Sequence, residues 1–339
     1  MSLAEGLACA AAGREVPGAI VEAAFAEIVG GEASAVAVAG FLVALRTKGE
    51  TVGEIVAAAR ALRAVAETAP LPDPRAIDTC GTGGDGADTF NISTAAAFVV
   101  AGAGVPVAKH GNRAASSRAG SFDVLEALGV RADLPVETAA GIAREVGIGF
   151  FFARRAHPAM RHVAPIRSEL RIRTIMNCLG PLLNPVGVRR QVVGVYAAEL
   201  VEPLAHALAE LGAERALVVH GDDGLDELTT TTTSRTALWD GREVTLGTVD
   251  PGSLGIPAAA PGALAGGDAE QNAAIVRAVL TGEAGPARDI VQLNAAAALW
   301  VADAASDLAE GLALAAETLD SGRAAAKLDQ LIEVSRSAA

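Results

Sequence analysis

The chain has 339 residues, of which 51% are apolar and only 3% aromatic, and its formal net charge is −13. That length allows one large or two moderate domains, with a core built from Ala, Val, Leu and Ile. The negative charge argues against a general nucleic-acid binder, and the scattered Cys9, Cys80 and Cys178 show no metal-ligand pattern, so a reduced cytoplasmic protein is expected.

The first seventy residues read as helices only, without the basic start and apolar run of a secretion signal. Pro17 opens a helix that Gly30-Gly31 closes. Ser34 to Lys48 is another, stopped at Gly49. Thr51 and Glu54 predict a capping box for a third, with Ile55, Leu62 and Val65 on one face. Pro70, Pro72 and Pro74 mark a boundary.

Ala76-Ile77 is a short strand candidate, and a glycine-rich loop follows it. Gly81, Gly83, Gly84 and Gly86 leave the backbone bare, so an anion can approach its amides. Asn91, Ser93 or Thr94 can cap the helix that Ala95–Val100 continues. Gly81-x-Gly83-x-x-Gly86 matches the dinucleotide fingerprint. Against that reading, the next strand candidate, Val105–Ala108, ends at Lys109 and His110, where a dinucleotide site wants an acid. Asp85 also suits a metal or a donor-rich sugar better than a naked pyrophosphate. The apolar stretch Ala95–Ala108 contains two glycines and a proline and is too short to span a bilayer.

Further strand candidates at Gly147–Phe152, Gln191–Tyr196 and Arg215–His220 alternate with helices at Phe122–Leu128, Val136–Val146 and Leu200–Leu211. This alternation predicts a mostly parallel sheet with helical cover. Asp240-Gly241, between Thr236–Trp239 and Glu243–Leu246, signals one antiparallel hairpin. Thr229–Thr233 reads as a loop or short strand. Amphipathic helices are expected near Glu270–Thr281 and Gly285–Ala302. The basic region from His157 to Pro185 interrupts the alternation.

Charge is unevenly spread. Val105 to Arg190 carries thirteen Lys or Arg against six Asp or Glu, which suggests a local anion site in an acidic protein. Lys109-His110-Gly111-Asn112-Arg113, with Ser116, Ser117 and Ser121, follows a strand and suits phosphate oxygens and ribose hydroxyls. Arg167 and Arg171 share a helical face, and an arginine fork can hold a carboxylate or phosphate. His220 to Glu227 offers four carboxylates after another strand. Asp226 and Glu227 could hold Mg²⁺ together with substrate phosphates.

Gly81-Thr82-Gly83-Gly84-Asp85-Gly86, Asn91-Ile92-Ser93-Thr94 and Lys109 to Arg113 resemble the signature of the anthranilate phosphoribosyltransferase family. His157-Pro158-Ala159-Met160, Leu179 to Pro185, Gly224-Leu225-Asp226-Glu227 and Gly266-Gly267-Asp268-Ala269 before Asn272-Ala273 extend the match over nearly the whole chain, in the family's order. The resemblance implies a glycosyltransferase of tryptophan biosynthesis. It would move the phosphoribosyl group of PRPP (phosphoribosyl pyrophosphate) to the amine of anthranilate, release pyrophosphate and use Mg²⁺.

It further implies an α/β fold, with a small helical domain plus a larger α/β domain around a central mostly parallel sheet, and a cytoplasmic homodimer with neither nucleic acid nor membrane as partner. The helical domain would join residues 1–70 with about 160–187, and the PRPP-binding domain residues 75–159 with 188–339. Carried over by position, Gly81, Gly84, Asp85, Thr89, Asn91, Ile92, Ser93 and Thr94 would hold PRPP, with Lys109, His110, Gly111, Asn112, Arg113, Ala114, Ala115, Ser116, Ser117 and Ser121 completing the cradle. Ser93, Asp226 and Glu227 would ligate Mg²⁺. Gly81, Asn112 and Arg167 would face anthranilate, Arg167 taking its carboxylate, and no acid or base catalyst is assigned.

Four departures from the family pattern bear on the acceptor pocket: Arg171 where glycine is usual, Met176 for phenylalanine, Phe122 for a small residue, and the threonine run for a glycine-proline pair. A pyrimidine nucleoside phosphorylase and a non-catalytic nucleic-acid-binding relative are the alternatives. A different segment at Lys109–Ser117 would mark the first, and loss of the acidic ligands the second.

Overall fold

Four helices open the chain in the computed structural model, which describes residues 2–71, 73–114 and 118–338. They are α1 (Ser2–Ala11), α2 (Gly18–Gly30), α3 (Ala35–Lys48) and α4 (Val52–Arg63). Their ends follow from local chemistry. Pro17 precedes α2, and Gly31 stops it in the left-handed conformation at φ 75°. The Ser34 hydroxyl accepts the Ala37 N–H at the start of α3. Thr51 and Glu54 form the expected capping box on α4. Val65, expected on the buried face of that helix, is 47% exposed, because α4 ends at Arg63 and its periodicity stops there.

Glu54 does more than cap. Its side chain is fully buried and accepts from the backbone N–H of Val16 (2.8 Å) and Thr51 (2.9 Å) and from Lys48 Nζ (2.6 Å). Lys48 is itself only 6% exposed. Removing one partner of such a pair leaves a buried charge alone, at a cost of about 3–5 kcal/mol. Glu54→Ala is therefore expected to lower the unfolding free energy by about 3 kcal/mol in a denaturant titration, and a loss below about 1 kcal/mol would contradict this account.

After the boundary the chain alternates. The elements are β1 (Ile77–Asp78), α5 (Ile92–Gly102), β2 (Val107–Gly111), α6 (Ser121–Ala127), α7 (Val136–Val146) and β3 (Ile148–Phe152). Three short helices follow: α8 (Ala153–Ala156), α9 (Ala164–Leu170) and α10 (Met176–Leu179). Alternation resumes with β4 (Arg190–Gly194), α11 (Val201–Glu210), β5 (Arg215–Gly221), β6 (Ser234–Trp239) and β7 (Val244–Val249), and ends with α12 (Ala269–Leu280), α13 (Pro286–Val301), α14 (Leu308–Asp320) and α15 (Arg323–Ser337). The elements expected from sequence end at Ala302 and do not include α14 and α15, which pack with α5 and cover its outer side. None of the described helices is long and apolar enough to cross a membrane.

The seven strands form one sheet in the order β3-β2-β1-β4-β5-β6-β7. The first five are parallel, and β6 and β7 add an antiparallel ribbon. Its turn is the predicted Asp240-Gly241, where Asp240 Oδ1 accepts the N–H groups of Arg242 and Glu243 and Gly241 takes φ 96°. From β1 the chain first builds outward through β2 and β3, then returns to the other side of β1 to start β4. The crevice beyond the carboxyl ends of β1 and β4 is thus the topological switch point, where open α/β sheets bind ligands.

Successive residues of β4 and β5 point to opposite faces and so feed two cores. Val192, Leu217 and Val219 join α5, α12, α13 and α15. Val193, Val195 and Val218 join α11, the opening helices, and Val163, Ile175, Met176, Leu179 and Leu182 from the interrupting region. On the first face α5 is buried on every side except at Ser93, and its alanines lie in the same core as Ala295, Ala297 and Ala298 of α13. Small side chains replace the missing aromatics by letting helix axes approach closely.

Candidate active site

The glycine loop leaves β1 at the switch point. Gly83, Gly84 and Gly86 have φ of 65°, 77° and 77°, a conformation that side-chain-bearing residues rarely adopt. The Thr82 N–H donates to Gly194 O (2.8 Å), and the Thr82 hydroxyl accepts the Tyr196 N–H (3.0 Å), tying the loop to the end of β4. At its far end Thr89 bridges Ala265, and Gly266 N–H donates to Asp88 O. Asn272 Nδ2 donates to Asn91 Oδ1 at 3.0 Å, while Asn272 Oδ1 accepts the Gly267 N–H at 2.7 Å. The Gly266–Ala273 motif therefore closes the loop and starts α12.

The helix after the loop begins at Ile92, well beyond the last glycine, so the fingerprint match lacks the helix that a dinucleotide site opens within the motif. Asn91 occupies the N-cap position without a side-chain cap, since its amide donates to Ala119 O and its oxygen accepts from Asn272. Ser93 and Thr94 lie inside the helix.

The acidic loop after β5 meets the glycine loop. Gly83 N–H donates to Asp226 Oδ2 at 2.6 Å, and Ser93 N–H donates to Glu227 Oε1 at 3.2 Å. The Asp226 N–H donates to Asp85 Oδ2 at 3.4 Å. The other two carboxylates serve the loop itself. Asp222 accepts from Thr233 Oγ1 and pairs with Arg235, and Asp223 accepts from Thr229 Oγ1 and Thr231 Oγ1. The threonine run is thus a hydroxyl-rich loop that fastens this turn and frees Asp226 and Glu227 to face the crevice.

Burial, then Glu227 and Asp85, push the Asp226 carboxyl well above the usual carboxylate range. Burial also raises Glu227, against the opposing pull of Lys109. Negative charge here exceeds what Lys109 balances, so the site suits an added cation. Oxygen donors and two adjacent carboxylates match the way Mg²⁺ binds.

Lys109 is 3% exposed, and its Nζ donates to Thr79 O at 2.6 Å. Next to it in β2, the His110 N–H donates to Asp78 Oδ1 (3.2 Å), and Asn184 Nδ2 donates to both Asp78 Oδ2 and Ala108 O (2.8 Å each). Burial raises Asp78 to about 6 despite Lys109. The His110 ring is fully enclosed, with Nδ1 3.1 Å from Gly180 O and His157 edge-on at 5.3 Å. Burial, then His157, lower it to about 3, so it stays neutral and is no proton shuttle near pH 7. Burial and Asp78 push the Cys80 thiol upward, which rules against a thiolate nucleophile.

Asn112 to Ala114 lie against the start of α6. Asp123 accepts the N–H groups of Ala114 and Gly120 (2.9 Å each), the Ser121 hydroxyl donates to Asn112 O (3.2 Å), and Arg113 pairs with Asp123 and Glu126. Phe122 fills the space beneath by stacking on Phe152 at 4.6 Å. Ala115, Ser116 and Ser117 lie outside the described residues. Arg167 stands apart on α9, which packs against α3. Burial alone lowers its guanidinium, and no acid or carbonyl holds that group among the described residues. Arg171 ends α9 with φ 52°, and Met176 is buried in the helical core.

Two family models cover the chain: a glycosyl transferase family helical bundle domain at residues 7–66 and a glycosyl transferase family a/b domain at residues 73–325. The anthranilate phosphoribosyltransferase of Rubrobacter xylanophilus is 53% identical over 98% of both chains, and that of Rhodospirillum rubrum 54% identical over 97% of this chain and 94% of its own. The chain belongs to the anthranilate phosphoribosyltransferase family.

Solved structures agree with that membership. The enzyme from Thermus thermophilus superposes with a TM-score of 0.93 at 45% identity, covering 98% of this chain and 99% of its own. The Saccharomyces cerevisiae enzyme in complex with PRPP and Mg gives 0.90 at 29% identity, covering 99% and 98%. Gly194 and Asn294, which help to build the site in this family member, were not singled out from sequence. Gly194 lies so close to the acidic loop that a Cβ there would sit 1.5 Å from Asp226 O. Asn294 of α13 exchanges hydrogen bonds with both the N–H and the carbonyl of Leu228, beside Glu227. An asparagine set directly before four alanines in the apolar half of α13 was the available signal for it. Arg173 donates to Gly84 O and lies over the Tyr196 ring at 4.1 Å.

Proposed function

We propose that the chain transfers the phosphoribosyl group of PRPP to the amine of anthranilate, giving N-(5-phosphoribosyl)anthranilate and pyrophosphate in tryptophan biosynthesis. The observation that carries this reading is the half-buried Asp226–Glu227 pair, tied to the N–H groups of Gly83 and Ser93 across from Lys109 at the switch point. Asp226, Glu227 and Ser93 would hold Mg²⁺, which when bound would supply countercharge for the leaving pyrophosphate.

The remaining work falls to the chain. The glycine-loop amides, Asp85, Thr89 and Asn91 to Thr94 orient PRPP, and Lys109 to Ser117 with Ser121 close the cradle. Lys109 spends one ammonium proton on Thr79 O and keeps two for phosphate oxygens. The reaction is a displacement at C1 of the ribose with oxocarbenium character, driven by positioning and by electrostatic stabilisation of the leaving group. Anthranilate's amine is already a neutral nucleophile, so neutral His110 is not needed as a base. Arg167, with Asn112 and Gly81, takes up anthranilate through its carboxylate.

Residues 1–70 with about 160–187 form the helical domain, through which two copies pair, and the protein works in the cytoplasm. The deciding assay mixes protein, PRPP, Mg²⁺ and anthranilate and follows the loss of anthranilate fluorescence. Loss that requires all three components supports the reading, and persistence of fluorescence while PRPP binds would replace the acceptor. Arg167→Ala is expected to raise the KM for anthranilate about 10- to 100-fold by removing a charge-assisted fork, with the KM for PRPP nearly unchanged in the same steady-state assay. A parallel rise in both would assign Arg167 to a different role.

A further inference from the structure

The segment Arg171–Thr174 joins two bodies of the molecule. On its N-terminal side α9 is seated on α3, with Ile166 and Leu170 against the helical core. On its C-terminal side Ile175 and Met176 enter the same core, and Asn177 Oδ1 accepts the Thr174 N–H. Between these anchors Arg173 crosses to the α/β body. Its Nη2 donates to Gly84 O in the glycine loop, and its guanidinium carbon lies over Tyr196, 4.1 Å from the ring centroid. Tyr196 in turn gives its N–H to Thr82 in the same loop. No ion pair holds Arg173 among the described residues. Its one hydrogen bond and its one aromatic partner are the glycine loop and the strand end that supports that loop. A guanidinium suits this position, because a planar cation stacks on a ring while its edge donates to a carbonyl. The same segment carries Arg167 shortly before it, on the side of the acceptor.

We propose that Arg173 is a positioning residue that latches the glycine loop to the acceptor-bearing segment and so couples the two substrate pockets. The proposal rests on the phosphoribosyltransferase reading above. Gly84 sits at φ 77°, and the carbonyl that Arg173 holds fixes the orientation of the peptide joining Gly84 to Asp85, next to the PRPP amides. Order imposed on the loop from one side is order that PRPP no longer has to impose. A ligand that settles Arg167 and its segment therefore tightens PRPP, and by linkage PRPP tightens that ligand by the same factor.

The test uses the full-length protein and benzoate, which carries the acceptor's ring and carboxylate but no amine to react. Calorimetric titration of PRPP with Mg²⁺ is run with and without saturating benzoate. Wild type is expected to bind PRPP about 5- to 10-fold more tightly with benzoate present. Arg173→Met, similar in bulk but neutral, is expected to show a ratio near one, Arg173→Lys an intermediate ratio, and Tyr196→Leu a reduced one. Amide exchange across Gly81–Gly86 should quicken in Arg173→Met, while its melting temperature shows that it folds. An unchanged ratio in Arg173→Met, or a ratio of one in wild type, overturns the latch. Wild type that binds neither PRPP nor benzoate would instead sink the phosphoribosyl reading, and the latch with it.

Discussion

Changing Asp226 to Asn together with Glu227 to Gln is expected to remove at least about 10³-fold of kcat/KM, and with it the dependence of rate on Mg²⁺. The same change should make the protein harder to unfold. Both carboxyls are half-buried, lie beside each other and Asp85, and are raised above the ordinary carboxylate range. A carboxyl whose folded pKa is raised binds its proton more tightly in the folded state. Its ionisation therefore costs stability at high pH, and stability returns as pH falls through the folded value towards the unfolded one. Amides keep acceptor oxygens for Gly83 and Ser93 N–H without the charge. In metal-free buffer at pH 8 the double variant should gain about 1–3 kcal/mol over wild type, and the gap should close as pH drops below neutrality, where wild type takes up protons. Full activity with intact Mg²⁺ dependence in the variant would end the metal assignment. A variant less stable than wild type at every pH would show that Lys109 already balances the pair.

Residues that act through local chemistry were legible in the sequence, whereas those that act through distance were not. The Thr51–Glu54 box, the Gly49 stop and the Asp240-Gly241 turn each depend on neighbours within four positions, and each stands as read. The glycine loop announced itself because positive φ requires residues of one kind in a row. Periodicity failed where a helix simply stopped, as at Val65. What Asn184, Asn294 and Arg173 hold was hidden for a different reason. Each joins backbone far away in sequence, Asn184 to Ala108 O, Asn294 to Leu228 and Arg173 to Gly84 O, and nothing near them in the chain marks the partner. The departures from the family pattern divide in the same way. Phe122 and the threonine run have visible packing or hydrogen-bonding partners, while Arg171 simply takes the left-handed conformation that glycine would take more cheaply.

Gly194→Ala is expected to be the most damaging single change in the crevice that leaves every polar group in place. Gly194 ends β4, and its carbonyl already accepts the Thr82 N–H of the glycine loop. A Cβ at this position would lie 1.5 Å from Asp226 O and 2.4 Å from its carbonyl carbon. Backbone, not a flexible side-chain tip, occupies the space, so either β4 or the whole Asp222–Glu227 turn must move by more than an ångström. Moving the turn breaks the bonds of Gly83 to Asp226 and of Ser93 to Glu227 together, and loosens Leu228 from Asn294. Overpacking of this kind costs about 1–3 kcal/mol or more in a rigid interior, and misplacing charged groups by an ångström costs about 10²-fold in rate. Gly81→Ala supplies the contrast. Its Cβ would meet Asp226 Oδ2 at 2.7 Å and Gly194 O at 3.3 Å, so one carboxylate can swing aside while the fold holds. Gly81→Ala should therefore keep its melting temperature and need more Mg²⁺ for half-maximal rate, whereas Gly194→Ala should lose both stability and turnover. Thermal melts followed by circular dichroism, paired with a Mg²⁺ titration of the rate, separate the two. Equal melting temperatures for both variants would mean that the acidic turn yields more easily than its hydrogen bonds imply.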